Sequence, residues 1–353
     1  MSAKLSIIVL NWNGKQFLKD CFTSIGKQTS RRNFETLFVD NGSNDGSVEY
    51  VRKYFPWVKV HALPKNVGFA KGNNYGIAQA KGEWIFTLNN DTKLDPSCIA
   101  HLLAAIRKNE KSPEKIGMYS IKMRFFYELD ELNSTGTLIY RDGAAMNRGM
   151  REKDHGQYDD VSHRDIFGPC AGAGIYRKDM LTEIAHAPSS RSEEEFMRPI
   201  PEYFDADFFI YLEDVDLIWR AQLAGWKARY VPKSLLYHIH SATMEAKSPK
   251  KLYLAERNRI WYTFKIFPLP LLLISPFFTL RRYLAMRSTS GSPAAGKASL
   301  ALALLRAWIH GVFGLPKFFT KRRQIQKSHL LGSAEVRRLF NRYGASLDQL
   351  VQS

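Results

Sequence analysis

Three sets of residues in this 353-residue chain have the types and spacing to do chemistry. In the first, a run of strand formers from Trp84 to Leu88 stops in Asn89, Asn90 and Asp91, which favour turns or solvent. A carboxylate there can hold a hard divalent cation together with a substrate diphosphate and waters, and Mn2+ also accepts imidazole. His238 or His240 of the YHIHS segment could supply that imidazole, because alternation in an extended segment points both to one side at different depths. In the second set, Asp40 ends another apolar run and Asp45 follows inside NGSNDGS. Gly42 and Gly46 suit turns with positive φ, while a carboxylate at a strand end can accept from a pyrimidine N3–H or a ribose hydroxyl. In the third, Glu213, Asp214 and Asp216 open a helix after an aromatic run, where acids also suit the helix dipole.

These residues need a frame, and the first hundred residues alternate strand-like and helix-like segments. Leu5–Leu10, Glu35–Asp40, Val58–Leu63 and Glu83–Leu88 read as strands. Between them lie helical patterns, the clearest being Phe17, Leu18, Cys21, Phe22 and Ile25 on one face. Strand–helix alternation predicts a mostly parallel sheet with helices on both sides and right-handed crossovers. Ligands bind such sheets at the carboxyl ends of the strands, so Asn11–Asn13, Asp40–Asp45 and Asn89–Asp91 should share one crevice. Asn66 and Gly68 precede a third helix and could face the ligand, whereas Gly72 and Gly76 suit close packing of that helix. Residues 116–180 read as further strands and loops, 187–202 as a surface insertion, and the helix from Glu213 counts Leu217, Trp219, Leu223 and Trp226 as its bulky members.

Composition narrows the classes. At 45% hydrophobic the chain can bury a large core, and its three separated cysteines favour buried thiols in a reducing compartment. The N-terminus lacks the pattern of an export segment, so a cytoplasmic catalytic region is expected. The net charge of +17 is uneven: residues 1–240 carry 32 Lys+Arg against 30 Asp+Glu, and residues 241–353 carry 19 against 4. That distribution argues against a nucleic-acid binder, because the basic excess coincides with the two most apolar stretches, 266–280 and 298–316. Apolar, aromatic segments with basic flanks predict association with an anionic membrane surface. Neither a GxGxxG dinucleotide fingerprint nor a GxxxxGK[ST] phosphate loop is present.

The motifs SIIVLNWNG, FVDNGSNDGS, PKNVGFAKGNNYGI, FTLNNDT and FFIYLEDVDLIWRAQLAGW, with SAT and RNR further on, together resemble glycosyltransferase family 2, in the manner of bacterial rhamnosyltransferases. The likeness runs over about residues 4–262 and implies an α/β GT-A fold. It implies a catalytic domain over 1–245, with a nucleotide half to about 115 and an acceptor half after it, followed by a basic helical region over 246–353. By this resemblance Asp40 binds the base, with Asn11, Trp12, Asp45, Asn66, Gly68, Asn89 and Asn90 around the donor. Asp91 is the carboxylate kept from the family's Asp-any-Asp motif and binds Mg2+ or Mn2+ with His238, ahead of His240. Asp214 is the general base and Glu213 its neighbour. The processive-synthase QxxRW pattern is replaced by WRAQLAG, which implies transfer of one or very few sugars.

The expected function is therefore metal-assisted, inverting transfer from a nucleotide-diphosphate sugar to a lipid-linked glycan. It would take place on the cytoplasmic face of the inner membrane, in cell-surface polysaccharide synthesis. dTDP-rhamnose is the favoured donor; UDP-hexose and UDP-galactofuranose are the alternatives. A non-catalytic basic membrane-binding protein is the reading from a different class.

Overall fold

The computed structural model of the chain describes residues 4–30, 33–187, 200–239, 248–289, 294–328 and 333–352. The first unit is strand β1 (Leu5–Asn11), helix α1 (Lys15–Gly26), β2 (Phe34–Asn41), α2 (Ser47–Tyr54), β3 (Lys59–Leu63), α3 (Gly68–Gln79) and β4 (Trp84–Asn89). All four strands run parallel in the order β3-β2-β1-β4, as the alternation predicts. The two packing glycines behave as expected. A methyl group at Gly72 would sit 2.6 Å from Leu10, and one at Gly76 2.6 Å from Ile8, so α3 lies directly on β1.

A short strand β5 (Thr92–Leu94) and helix α4 (Cys98–Asn109) follow. Beyond them come β6 (Ile116–Phe125), β7 (Leu132–Ser134), β8 (Thr137–Ile139), β9 (Ala145–Asn147), β10 (Asp165–Ile166) and β11 (Ala173–Arg177). The run after Leu132 is split at Gly136, whose φ of 138° no strand sustains, so β7 pairs with β6 and β8 turns away to β9. Helices α5 (Lys178–Ile184) and α6 (Glu213–Leu223) lead to β12 (Lys227–His238). The ten-stranded sheet runs β10-β12-β6-β11-β4-β1-β2-β3, with β11 antiparallel between β6 and β4. Trp226 is not a member of α6: the helix ends before Gly225, which has a φ of 83°, and the indole is buried beyond the turn.

The remaining chain is helical: α7 (Pro249–Ile266), α8 (Leu269–Thr289), α9 (Ala294–Gly314), α10 (Phe319–Ser328), α11 (Ser333–Tyr343) and α12 (Leu347–Gln352). These helices contribute to the core of the sheet domain. Trp219 of α6 stacks edge-on with Phe340 of α11 at 5.4 Å and with Phe267 at 5.7 Å. Lys265 of α7 is wholly buried beside Asp205 and Asp216, and Lys321 of α10 lies 2.6 Å from Asp205. Arg282 of α8 pairs with Asp142 and Glu256 at 2.8 Å each.

On the outer side the pattern reverses. In α8, Leu269, Leu273, Phe277, Leu280 and Leu284 recur every three or four residues and are exposed, Leu273 by 74%. In α9, Leu302, Leu305, Ile309 and Val312 do the same. Among the described residues one helical stretch, Ala298–Gln326, is long and apolar enough to cross a membrane, with a mean hydropathy of 1.5.

Candidate active site

At the carboxyl edge of the sheet, the loops after β1, β2 and β4 lock together through side-chain amides. Asn11 donates through Nδ2 to Asp40 Oδ1 at 2.9 Å and accepts at Oδ1 from Asn90 Nδ2 at 2.6 Å. Asp40 Oδ2 accepts from the Ser43 backbone N–H at 2.8 Å, so both oxygens of this buried carboxylate have donors. Gly14 is required beneath them, since a methyl group there would lie 2.1 Å from Asn90 Nδ2. Trp12 projects from the same loop, 46% exposed.

Asp45 sits on the rim of this cluster, and its geometry is that of an Asx turn opening α2. It accepts from Lys15 N, Ser47 N and Ser47 Oγ, and these bonds outweigh partial burial to hold its carboxyl below the usual range. Asn66 is likewise occupied, taking Asn41 Nδ2 and the Gly68 N–H on Oδ1. Gly68, at φ 88°, leaves room for a neighbour: a methyl group there would meet Phe209 at 2.6 Å.

The end of β4 is built differently. His238, the last residue of β12, has Nδ1 3.0 Å from Asn133 Oδ1, which fixes the Nδ1–H tautomer and turns the Nε2 lone pair inward. Nε2 lies 3.2 Å from Asp91 Oδ1, a buried oxygen with no hydrogen-bond donor. Two electron-rich atoms facing each other across 3.2 Å, one backed by a side-chain carbonyl, form a donor set that fits a divalent cation. Asn89 Nδ2 is 3.4 Å from the same nitrogen. His240 lies outside the described residues.

A second grouping of possible ligands, His186, Asp205 and Asp216, is already neutralised from within. The Lys265 ammonium contacts Asp205 and lies 2.7 Å from Asp216, and Arg220 adds a bond of 3.0 Å to Asp216. Burial alone would raise the Asp205 carboxyl; Lys265 and Lys321 outweigh it and hold the group well below the usual range. An ion pair network, not a cation site, occupies that position.

The acid pair at the start of α6 completes the crevice. The loop 170–172 joins it to β4: the Asn89 N–H donates to Gly172 O at 2.9 Å, and the Ala171 N–H donates to Asp214 Oδ2 at 3.0 Å. Asp214 is half-buried, and burial raises its carboxyl above the ordinary range against the pull of the Ala171 and Val215 amides. Glu213 is buried with Oε2 lacking a partner; burial, then the neighbouring Asp214 charge, pushes it well above that range. The two carboxyls are thus raised to different extents by the same burial, Glu213 further than Asp214 because it lacks the backbone donors that Ala171 and Val215 give Asp214.

Just before the pair, Phe209, Tyr211 and Leu212 all have positive φ, of 66°, 74° and 64°. Such a backbone costs L-residues about 1–2 kcal/mol each, so the surrounding structure must impose it.

Asn133, Ser43 and Ala171 carry no periodic signal in the sequence: Asn133 and Ala171 meet His238 and Asp214 across long stretches of chain, and Ser43 joins Asp40 to Asn11 and Asn13 through its backbone N–H and its hydroxyl. Asn258 stood within a recognisable RNR run without a stated role.

Comparison with known proteins adds three findings. The family model described as Glycosyl transferase family 2 matches residues 6–184. The chain is 25% identical over 315 residues to an N-acetylglucosaminyl-diphospho-decaprenol L-rhamnosyltransferase of Mycobacterium tuberculosis (strain ATCC 25618 / H37Rv), spanning 82% of this chain and 92% of that one. Its fold is similar to that of S. aureus TarS, with a TM-score of 0.53 at 16% identity over 96% of this chain, which spans about half (54%) of the TarS chain. It is also similar to the mannosyltransferase PcManGT from Pyrobaculum calidifontis in complex with GDP-Man and Mn2+, with a TM-score of 0.50 at 15% identity over 97% of this chain and 88% of that one.

Proposed function

The chain belongs to glycosyl transferase family 2, a glycosyltransferase with the GT-A fold, and on that premise we propose that it transfers a single sugar from dTDP-rhamnose to a lipid-linked glycan acceptor with inversion. The observation that carries this reading is the loop 170–172, which ties the end of β4, where Asp91 Oδ1 lacks a hydrogen-bond donor beside His238, to Asp214. Leaving group and nucleophile are thereby assigned to neighbouring walls of one crevice.

Asp91 and His238 would hold Mg2+ or Mn2+, whose charge offsets the negative charge that develops on a departing nucleotide diphosphate. Asp214 takes the proton from the acceptor hydroxyl as that oxygen attacks the anomeric carbon from the face opposite the leaving group. Burial and the Asp214 charge raise the Glu213 carboxyl beside it, which disfavours a second negative charge there. Asp40, fixed by Asn11 and Ser43, orders the wall that receives the base, and Trp12 offers an exposed ring there. Asn89 and Asn90 frame the diphosphate, and Asp45, Asn66 and Gly68 keep the surrounding loops in place.

The rhamnosyl donor and prenyl-diphosphate acceptor are supported by the mycobacterial relative's name and its match over most of both chains. An acceptor of that class resides in a bilayer. The exposed stripes of α8 and α9, with Arg281, Arg306, Lys317 and Arg323 exposed in and around them, suit an anionic lipid surface. In this reading residues 1–245 carry the catalysis and 246–353 the attachment to the cytoplasmic leaflet, within one folded unit. Transfer would serve cell-surface polysaccharide assembly.

The test is titration of dTDP and UDP against the full chain with Mg2+ or Mn2+, then with chelator, followed by transfer to a GlcNAc-diphosphoprenol. Metal-dependent dTDP binding and rhamnosyl transfer are expected. A preference for UDP would move the donor to a UDP-hexose or UDP-galactofuranose, and binding of neither nucleotide by folded protein would overturn the reading.

A further inference from the structure

The segment from Phe208 to Leu212 turns four successive carbonyls toward Asn258 and Arg257 of α7 and the first turn of α3. Asn258 of α7, wholly buried, places Nδ2 3.0 Å from Phe208 O, 2.9 Å from Ile210 O and 2.8 Å from Tyr211 O. The remaining carbonyl, Phe209 O, accepts the Phe69 N–H at 2.6 Å and the Ala70 N–H at 3.2 Å, from the first turn of α3. An amide nitrogen has two hydrogens, so three carbonyls around it share them. Phe208 O is also reached by Arg257 Nη2 at 3.2 Å and by the Ile210 N–H at 2.8 Å, which leaves Ile210 O and Tyr211 O as the carbonyls that rely on Asn258. Asn258 Oδ1 is in turn held by Arg257 Nε at 3.1 Å, which fixes which end of the amide faces the carbonyls.

This arrangement accounts for two of the three positive φ values. Phe209 is the centre of a tight turn closed by the Ile210 N–H on Phe208 O at 2.8 Å, whereas nothing in the side chains of Tyr211 and Leu212 favours the left-handed region. Turning carbonyls inward toward a buried donor does require it. The residue after Leu212 is Glu213, so the direction in which α6 starts, and with it the Asp214 carboxylate, follows from how this segment is held.

We infer that Asn258 is a positioning residue for the catalytic base, holding the 208–212 segment in the one backbone conformation that presents Asp214 to the acceptor. The inference rests on the assignment of Asp214 as base given above. It adds a residue from α7, in the C-terminal region, to a crevice otherwise built from the sheet and its loops. Asn258 touches no substrate and acts only through the backbone it holds.

The experiment uses the full chain with Asn258→Ala, Asn258→Ser and Asp214→Asn. Transfer to the prenyl acceptor, dTDP affinity in Mn2+ and hydrogen exchange of the 209–212 amides are measured on each. A misplacement of this kind can cost about 100-fold in rate. Asn258→Ala is therefore expected to lower kcat about 100-fold, leave the dTDP Kd within about twofold and speed exchange at 209–212 while β1–β4 stay protected. Asn258→Ser, which keeps one donor, should be intermediate in both kcat and exchange, and it serves where the alanine variant does not fold. Asp214→Asn should lose transfer with exchange at 209–212 unchanged. Wild-type kcat in Asn258→Ala, or a parallel loss of kcat, dTDP affinity and protection throughout the sheet, would overturn the inference. Wild-type turnover by Asp214→Asn would instead remove the base assignment, and the link from Asn258 to catalysis with it, while exchange still decides whether Asn258 holds the segment.

Discussion

Asp40, next to the last residue of β2, and Asp91, two residues past β4, are both buried carboxylates at the carboxyl ends of parallel strands of one sheet, and their surroundings are opposite. Asp40 is fully provided with donors from Asn11 and Ser43, whereas Asp91 Oδ1 has none and faces an imidazole nitrogen instead. A buried anion with its donors in place is part of the frame, while one left without them stores free energy that a ligand can recover. The same contrast separates Asp45, spent on an Asx turn, from Glu213, whose Oε2 is unpartnered. Asp40 and Asp45 thus have their donors in place, as does Asp214, whereas Asp91 and Glu213 each keep one buried carboxylate oxygen without a donor.

The severest test of this contrast is Asp214→Asn. Removing a general base costs about 100- to 10,000-fold, so transfer should fall by about 1,000-fold with the thermal midpoint held or raised, measured by acceptor glycosylation beside a melt. Next comes the pair of variants that sets the two strand ends against each other. Asp91→Ala should lower transfer about 100-fold and abolish the effect of Mn2+ on dTDP binding, with stability unchanged. Asp40→Ala should destabilise the fold by about 2–3 kcal/mol in urea melts, because two donors lose a charged acceptor. Equal loss of stability in both would break the comparison.

Acidity should move rate and stability in opposite directions. The carboxyls of Glu213 and Asp214 are raised in the fold, so the stability they contribute is fully present below their unfolded values and is lost as pH rises through the folded ones. Transfer needs Asp214 ionised and should increase over the same rise. Rates and melts taken from about pH 4 to about pH 8 would expose the crossing, and Glu213→Gln should flatten the melt series more than the rate series. The smallest effect on the folded protein is expected on its outer surface. Phe277→Asp, in the exposed stripe of α8, should weaken binding to anionic vesicles by about tenfold and leave dTDP affinity untouched.

Much of the frame was legible because it rests on periodicity. Alternating apolar runs gave β1 to β4 and their parallel order, and the polar residues past their ends gave the crevice. Gly72 and Gly76 were readable as packing positions, since only a missing Cβ lets α3 lie on β1. What escaped has no period. Asn133, which orients His238, lies 105 residues away in the chain, and Asn258 lies 47 to 50 residues from the carbonyls it holds. The aromatic run before Glu213 carries no sequence sign of the positive φ values that Phe209, Tyr211 and Leu212 adopt, which its composition disfavours. Trp226 fits the helical spacing of α6, and only Gly225 shows that the helix has already ended.

The buried ions beneath α6 also impose a schedule on synthesis. Asp205 leaves the ribosome well before Lys265 and Lys321, the cations paired with it in the finished protein, and Asp216 has Arg220 close by in the chain but must also wait for Lys265. Domains close from the N-terminal end as the chain emerges, but carboxylates enclosed without their counter-ions would cost several kcal/mol. The β1–β4 unit can therefore form early, while the half that carries Asp214 must wait for α7 and α10. In the proposed reading, a nascent chain would acquire its exposed apolar helices and the proposed base in the same final step, so reaching the bilayer and reacting would become possible together.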